Sequence, residues 1–140
     1  MTIVKSLFLP LAPAAAFDLF TTRINAWWPP DRRHTRDPLS EIFLLQDGRF
    51  FERTSEGRDV ELGFVRSWQK PKLILLDFFI ATSLEEPTEV EITFIAEQQG
   101  TRLTVTHRPK PESAHLWAER APRYEASWGI VLAAFDRAAR

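Results

Sequence analysis

The chain contains no cysteine. This excludes a disulfide framework, a thiolate metal site and a cysteine nucleophile. It also favours a cytoplasmic location. No stretch approaches the roughly 20 apolar residues that a membrane-spanning helix needs. Near the start, Lys5, Leu7-Phe8-Leu9 and Ala14-Ala15-Ala16 look superficially like a secretory leader, but Pro10 and Pro13 interrupt the run. Glycine is scarce at five residues, and none forms a phosphate-cradling loop or a Gly-x-Ser-x-Gly elbow. A formal net charge of -1 provides no field for nucleic acid or an anionic membrane surface. The three histidines, His34, His107 and His115, lack metal-ligand spacing such as i, i+4 on one helix. No metal and no cofactor are expected.

What is present is aromatic. Eleven Phe and five Trp accompany a single Tyr. Rings without a hydroxyl either fill a large core or line a cavity for an apolar guest. The length of 140 residues fits one domain, residues 1–140, large enough for a core that needs no staples.

Hydrophobic periodicity orders the elements. Thr2–Leu9 alternates as a strand. Pro13 suits a first helical turn, and Ala14–Thr21 follows as a helix. Arg23–Trp28 is a second short helical turn, ended by Pro29-Pro30. Asp31–Pro38 reads as a solvated charged loop. Strands then follow over Glu41–Gln46, Arg49–Thr54, Val60–Trp68, Leu73–Ala81, Thr88–Glu97 and Thr101–Arg108. The turns between them are Asp47-Gly48, 55–59, Lys70-Pro71-Lys72, Glu85-Glu86-Pro87 and Gln99-Gly100. Tyr124, Trp128, Val131, Leu132 and Phe135 form one stripe of an amphipathic C-terminal helix, which Pro122 either starts or kinks. The fold class is α+β: an antiparallel sheet of six to seven strands with one face covered by the long helix.

Five segments in order resemble one family. They are Pro13–Phe20 with Ile24–Pro29, Asp47–Phe50, Gly63–Val65 with Pro71–Leu73, Gly100–His107, and Ser127–Leu132. Together they are similar to the C-terminal domain of the activator of the heat-shock protein 90 ATPase. The resemblance implies the helix-grip fold of START-like lipid-transfer domains and polyketide cyclases, with a curved sheet wrapped around the C-terminal helix. It also implies an apolar ligand held between sheet and helix, and a chaperone as an alternative partner. The eukaryotic activators carry a separate N-terminal domain that engages the chaperone, for which 140 residues leave no room.

The candidate ligand-binding residues are Trp28, Phe64, Arg66, Trp68, Asp77, Phe79, His107, Tyr124 and Trp128. Of the adjacent Trp27 and Trp28, one should be core and the other at the cavity mouth or the sheet edge. Arg66 shares a strand face with Phe64 and Trp68, and Asp77 shares one with Leu73, Leu75 and Phe79. Charges in apolar rows are either paired or aimed at a ligand, so Arg66 and Asp77 read as a cross-strand ion pair or as polar anchors in the cavity. His107, in register with Leu103 and Val105, reads as a hydrogen-bonded histidine at the sheet rim or as a donor to a ligand. His115 reads as a surface residue at a helix start. No acid–base pair suited to catalysis is evident. The expectation is a non-enzymatic binding domain for a small apolar molecule, with a pocket of roughly 300–1,000 Å³. The alternatives are a chaperone-activator-like interaction module or, more remotely, a cyclase or hydrolase. The protein is expected to be a monomer or a homodimer.

Overall fold

A computed structural model describes residues 2–140. Strand β1 (Ile3–Leu9) is followed by helices α1 (Pro13–Phe20) and α2 (Ile24–Trp27) and a 3-10 turn, Pro30–Arg32. Six strands follow: β2 (Glu41–Leu44), β3 (Arg49–Arg53), β4 (Asp59–Gln69), β5 (Leu73–Phe78), β6 (Thr88–Glu97) and β7 (Gly100–Arg108). A second 3-10 turn, Pro111–Ser113, leads into helix α3 (Ala114–Ala139). The sheet is antiparallel throughout, in the order β1-β7-β6-β5-β4-β3-β2. It curls as a half-barrel around α3. No helix among the described residues is long and apolar enough to cross a membrane.

The clean alternation of β6 and β7 survives folding. Val90, Ile92 and Phe94 face inward beside Leu103, Val105 and His107, all 2% exposed or less. Strand β4 behaves differently. Its partners step from Glu61 to Gly63 across β3 and from Val65 to Ser67 across β5, so Leu62 and Arg66 are bulged. Each extra residue reverses the inside-outside sequence from that point on. Leu62 and Val65 therefore point into the core, while Phe64 and Arg66 face outward. Trp68, beyond the second bulge, packs inward again.

Two turns differ from their expected form. The β6–β7 hairpin turns on Gln98 and Gln99, both at positive φ (47° and 65°), not on Gly100. Gly100 instead lies within β7, where a Cβ would come 2.3 Å from the Leu9 carbonyl oxygen. The glycine answers a close approach of β1. Strand β2 ends at Leu44 because Leu45–Gly48 forms the turn, with the Leu45 carbonyl accepting from the Gly48 N–H at 3.1 Å.

Helix α3 spans 26 residues, roughly 39 Å at 1.5 Å per residue. Pro122 neither starts nor ends it. The proline is exposed within the helix and leaves the Ala118 carbonyl without its usual donor, a group water can satisfy. His115 sits in the first turn, exposed, with Nε2 2.8 Å from Glu86.

Candidate functional site

The space between sheet and α3 is filled by rings. Near the α3 C-terminus, Phe135 packs against Trp27 (4.8 Å between centroids) and Phe20 (5.2 Å). Farther along, Trp28 meets Trp128 at 6.3 Å and Phe50 at 6.1 Å. Both tryptophans of the Trp27-Trp28 pair are thus core, at 6% and 5% exposure. Trp27 also donates its indole N–H to the Leu19 carbonyl at 2.7 Å.

His107 is fully buried, away from the rim expected of it. Its ring is boxed by Phe78 and Tyr124, at 5.1 and 4.3 Å, and by Trp117 at 5.2 Å. The Trp128 indole N–H, a donor only, gives its hydrogen to Nδ1 at 3.0 Å. The proton must then sit on Nε2, which donates to Thr88 Oγ1 at 2.8 Å. Thr88 in turn donates to the Phe78 carbonyl at 3.3 Å. This relay links α3, β7, β6 and β5 and leaves neither nitrogen free for a guest. Burial pushes the His107 pKa down to about 3, so the ring is neutral.

The enclosed pocket expected here has shrunk to about 50 Å³, bounded chiefly by Trp28, Phe78, Tyr124, Ser127 and Trp128. It opens outward. Arg32, Ile80, Tyr124 and Ser127 line both it and a surface cleft of about 390 Å³ that continues past Ala81, Arg123 and Ala126. Tyr124 forms the threshold, its hydroxyl donating to the Ile80 carbonyl at 2.6 Å. Of the sequence candidates, Trp28, Tyr124 and Trp128 meet at this mouth.

Four other candidates lie on the opposite face of the sheet. The bulge at Leu62 turns Phe64 (51% exposed) and Arg66 outward, and Asp77 and Phe79 of the neighbouring chain segment face the same way. Arg66 and Asp77 form the cross-strand ion pair, at 3.5 Å. Asp77 is also bound by Lys110 at 2.9 Å, and a parallel ladder joins Arg108 to Glu89 and Glu91. These are surface pairs, not cavity anchors. Trp68 packs edge-on against Phe17 at 5.2 Å, outside the pocket. A separate and almost wholly apolar groove of about 430 Å³ lies between Pro13, Pro71, Leu73 and Phe94.

The loop that reads as solvated is anchored by buried charge. Glu52, 0% exposed, accepts from the backbone N–H of His34 at 2.8 Å, from that of Thr35, and from the Thr35 hydroxyl. Arg33, 9% exposed, donates to the carbonyls of Ser40 (2.8 Å), Trp28 (3.0 Å) and Asn25 (3.2 Å), and to Asn25 Oδ1. Desolvation lowers the Arg33 pKa from its ordinary value, opposed by the Glu52 charge. One sequence signal pointed here: Glu52 alternates with Phe50 on the inward face of β3. This network sets where Trp28 and Arg32 stand at the mouth. Among the described residues no group of three or more His, Asp or Glu side chains is disposed to hold a metal.

Solved structures with this architecture include three informative relatives. A self-sacrificing resistance protein, CalC from Micromonospora echinospora, superposes with a TM-score of 0.72 at 20% identity, over 99% of this chain and 93% of its own. The Aha1 dimer from Colwellia psychrerythraea gives 0.62 at 14% identity, over 99% and 96%. A heat-shock protein 90 activator from Plasmodium falciparum gives 0.53 at 18%, over 79% and 74%. At such identities the likeness speaks for the fold alone. No curated protein sequence matches the chain. The sequence profile of the Activator of Hsp90 ATPase homolog 1-like proteins matches residues 10–139, nearly the entire chain, and the protein therefore belongs to that family.

Proposed function

We propose that the protein is a non-enzymatic binding module that takes a small, largely apolar ligand at the mouth of the grip, between the end of β5 and α3. The observation that carries this reading is the cleft of about 390 Å³ opening onto the aromatic pocket between Trp28 and Trp128. A ligand site combines apolar walls with a few convergent polar groups. The mouth has both, with Ser127, Arg32 and Arg123 on its rim. The groove at Pro13 and Pro71 has apolar walls as well but almost no polar surface to orient a guest. His107 is engaged through both nitrogens, which supports a binding role over acid–base chemistry.

The test is mapping by amide chemical shifts with a panel of small aromatic fragments. Perturbations are expected at Ile80, Ala81, Tyr124 and Ser127, and Ser127→Trp should abolish them by plugging the cleft. Perturbations confined to the Pro13–Pro71 groove would overturn the assignment.

A second reading, an activator-like protein-interaction module, is favoured by the outer face. Phe64 and Leu84 are 51% and 66% exposed and share a groove with Phe79. Large exposed apolar groups of this kind mark interaction surfaces. Binding to heat-shock protein 90 that is lost in Phe64→Asp would support it. A complex that survives the substitution would exclude this face.

A further inference from the structure

We propose that the ligand of the mouth is a small organic anion, an aromatic or short-chain carboxylate or phosphate ester, whose charged group is held by Arg32 and Arg123. The inference rests on the mouth being the binding site and names the class of molecule it takes.

Two acceptors at the mouth are already engaged: the Ile80 carbonyl receives the Tyr124 hydroxyl at 2.6 Å, and the Ala81 carbonyl receives Arg120 Nε at 2.8 Å. Three of its donors are free. The guanidinium groups of Arg32 and Arg123 have no carboxylate within 4.0 Å among the described residues, and the Ser127 hydroxyl makes no hydrogen bond to the protein. No Asp or Glu lines either the cleft or the pocket beneath it.

Other groove-lining arginines behave differently. Arg49 lies in the outer-face groove with Glu61, which it contacts at 2.7 Å. Arg140 lies in the groove beside β1 with Asp136, at 3.0 Å. In those grooves the protein supplies the counter-charge. At the mouth two forks line the cleft and no carboxylate does. A guanidinium matches the two oxygens of a carboxylate or phosphate with parallel N–H donors. Arg120, paired with Glu119 and bonded to Ala81, stands at the same rim.

The geometry also sets the other end of the molecule. The pocket of about 50 Å³ behind Tyr124 is walled by Trp28, Phe78 and Trp128 and has room only for a small apolar end. A short chain or the edge of a ring enters there, while the rest of the molecule, with its acidic group, stays in the open cleft. Partial exclusion of water at this boundary strengthens the charge-assisted bonds relative to an exposed ion pair.

The experiment titrates the intact protein with benzoate, phenyl phosphate and benzyl alcohol, read by amide shifts at Tyr124, Ser127 and Ala81. At least one anion should bind about tenfold or more tighter than the alcohol, the margin expected of hydrogen bonds to charged groups. The tighter of the two names the preferred head group. Arg32→Gln and Arg123→Gln, both at exposed positions, should each weaken anion binding about tenfold and leave the alcohol unchanged. If the alcohol binds the mouth as tightly as both acids, or if neither Arg substitution matters, the anion assignment fails while the mouth remains the site. If none of the three perturbs the mouth, both readings fail.

Discussion

The His107 imidazole shows how a residue that reads as a ligand group becomes part of the frame. Its pKa of about 3 in the fold lies below the roughly 6.5 of an unfolded chain, because burial disfavours the cation. Between those values the unfolded chain takes up a proton that the folded protein refuses. Stability therefore falls as pH drops below about 6.5, by up to about 1.4 kcal/mol per unit, and this loss levels off near pH 3. Urea midpoints from pH 7 to pH 4.5 should show this slope, and His107→Gln should show a shallower one. Equal slopes would assign the acid sensitivity to other groups. His107→Ala should also cost stability on the order of 2–4 kcal/mol, since it opens a buried space and strands the Trp128 indole N–H. The alternation of β7 placed His107 inward, and that much was legible. Its two partners come from β6 and α3, 19 and 21 residues away, and no local pattern reports them.

At the scale of the element, the difference between β7 and β4 is instructive. Regular strands carry their facing in their spelling, and β6 and β7 read correctly. In β4 two bulges shift the count: the first, at Leu62, brings Phe64 and Arg66 to the outer face, and the second, at Arg66, returns Trp68 inward. A bulge depends on how neighbouring strands pair, which the strand's own residues do not encode. The outward Arg66–Asp77 pair, with Arg66 45% exposed, should contribute little. Arg66→Gln should leave the thermal midpoint nearly unchanged, within about 0.5 kcal/mol of stability. A loss above 2 kcal/mol would mean that the ladder acts as a unit. Gly100→Ala should be far worse, about 1–3 kcal/mol or more, because the new methyl meets the Leu9 backbone at 2.3 Å. Amide exchange of β1 should quicken with it. Unchanged protection of β1 would show that the edge yields without cost.

The whole molecule is a grip closed on its own side chains. Trp128 is 4% exposed and touches Trp28, Phe78 and His107. Trp128→Ala should cost about 3–5 kcal/mol, measured as a lowered denaturant midpoint. It should also merge the pocket of about 50 Å³ with the vacated space, giving an apolar cavity on the order of 150 Å³, a size that takes up small aromatic guests. Indole should then raise the melting temperature of the variant by more than that of the parent protein. An indole response equal in both would mean that the interior collapses rather than opens.

The sequence by itself determined the kind of architecture. Periodicity, proline and glycine punctuation and one helical stripe specify strands and helices, because these signals act over a few residues. The five ordered segments, from Pro13–Phe20 to Ser127–Leu132, carried the family. Tertiary structure alone decided whether the grip holds a cavity. Sixteen Phe and Trp rings are equally compatible with lining a space and with filling it. The outcome turns on angles and distances between elements far apart in the chain, at a packing density that leaves little room for both. The same holds for the mouth. Arg32, Ile80 and Arg123 come from three separate stretches of the chain, and only the curl of the sheet around α3, with Arg33 and Glu52 holding the loop after α2, brings them to one cleft.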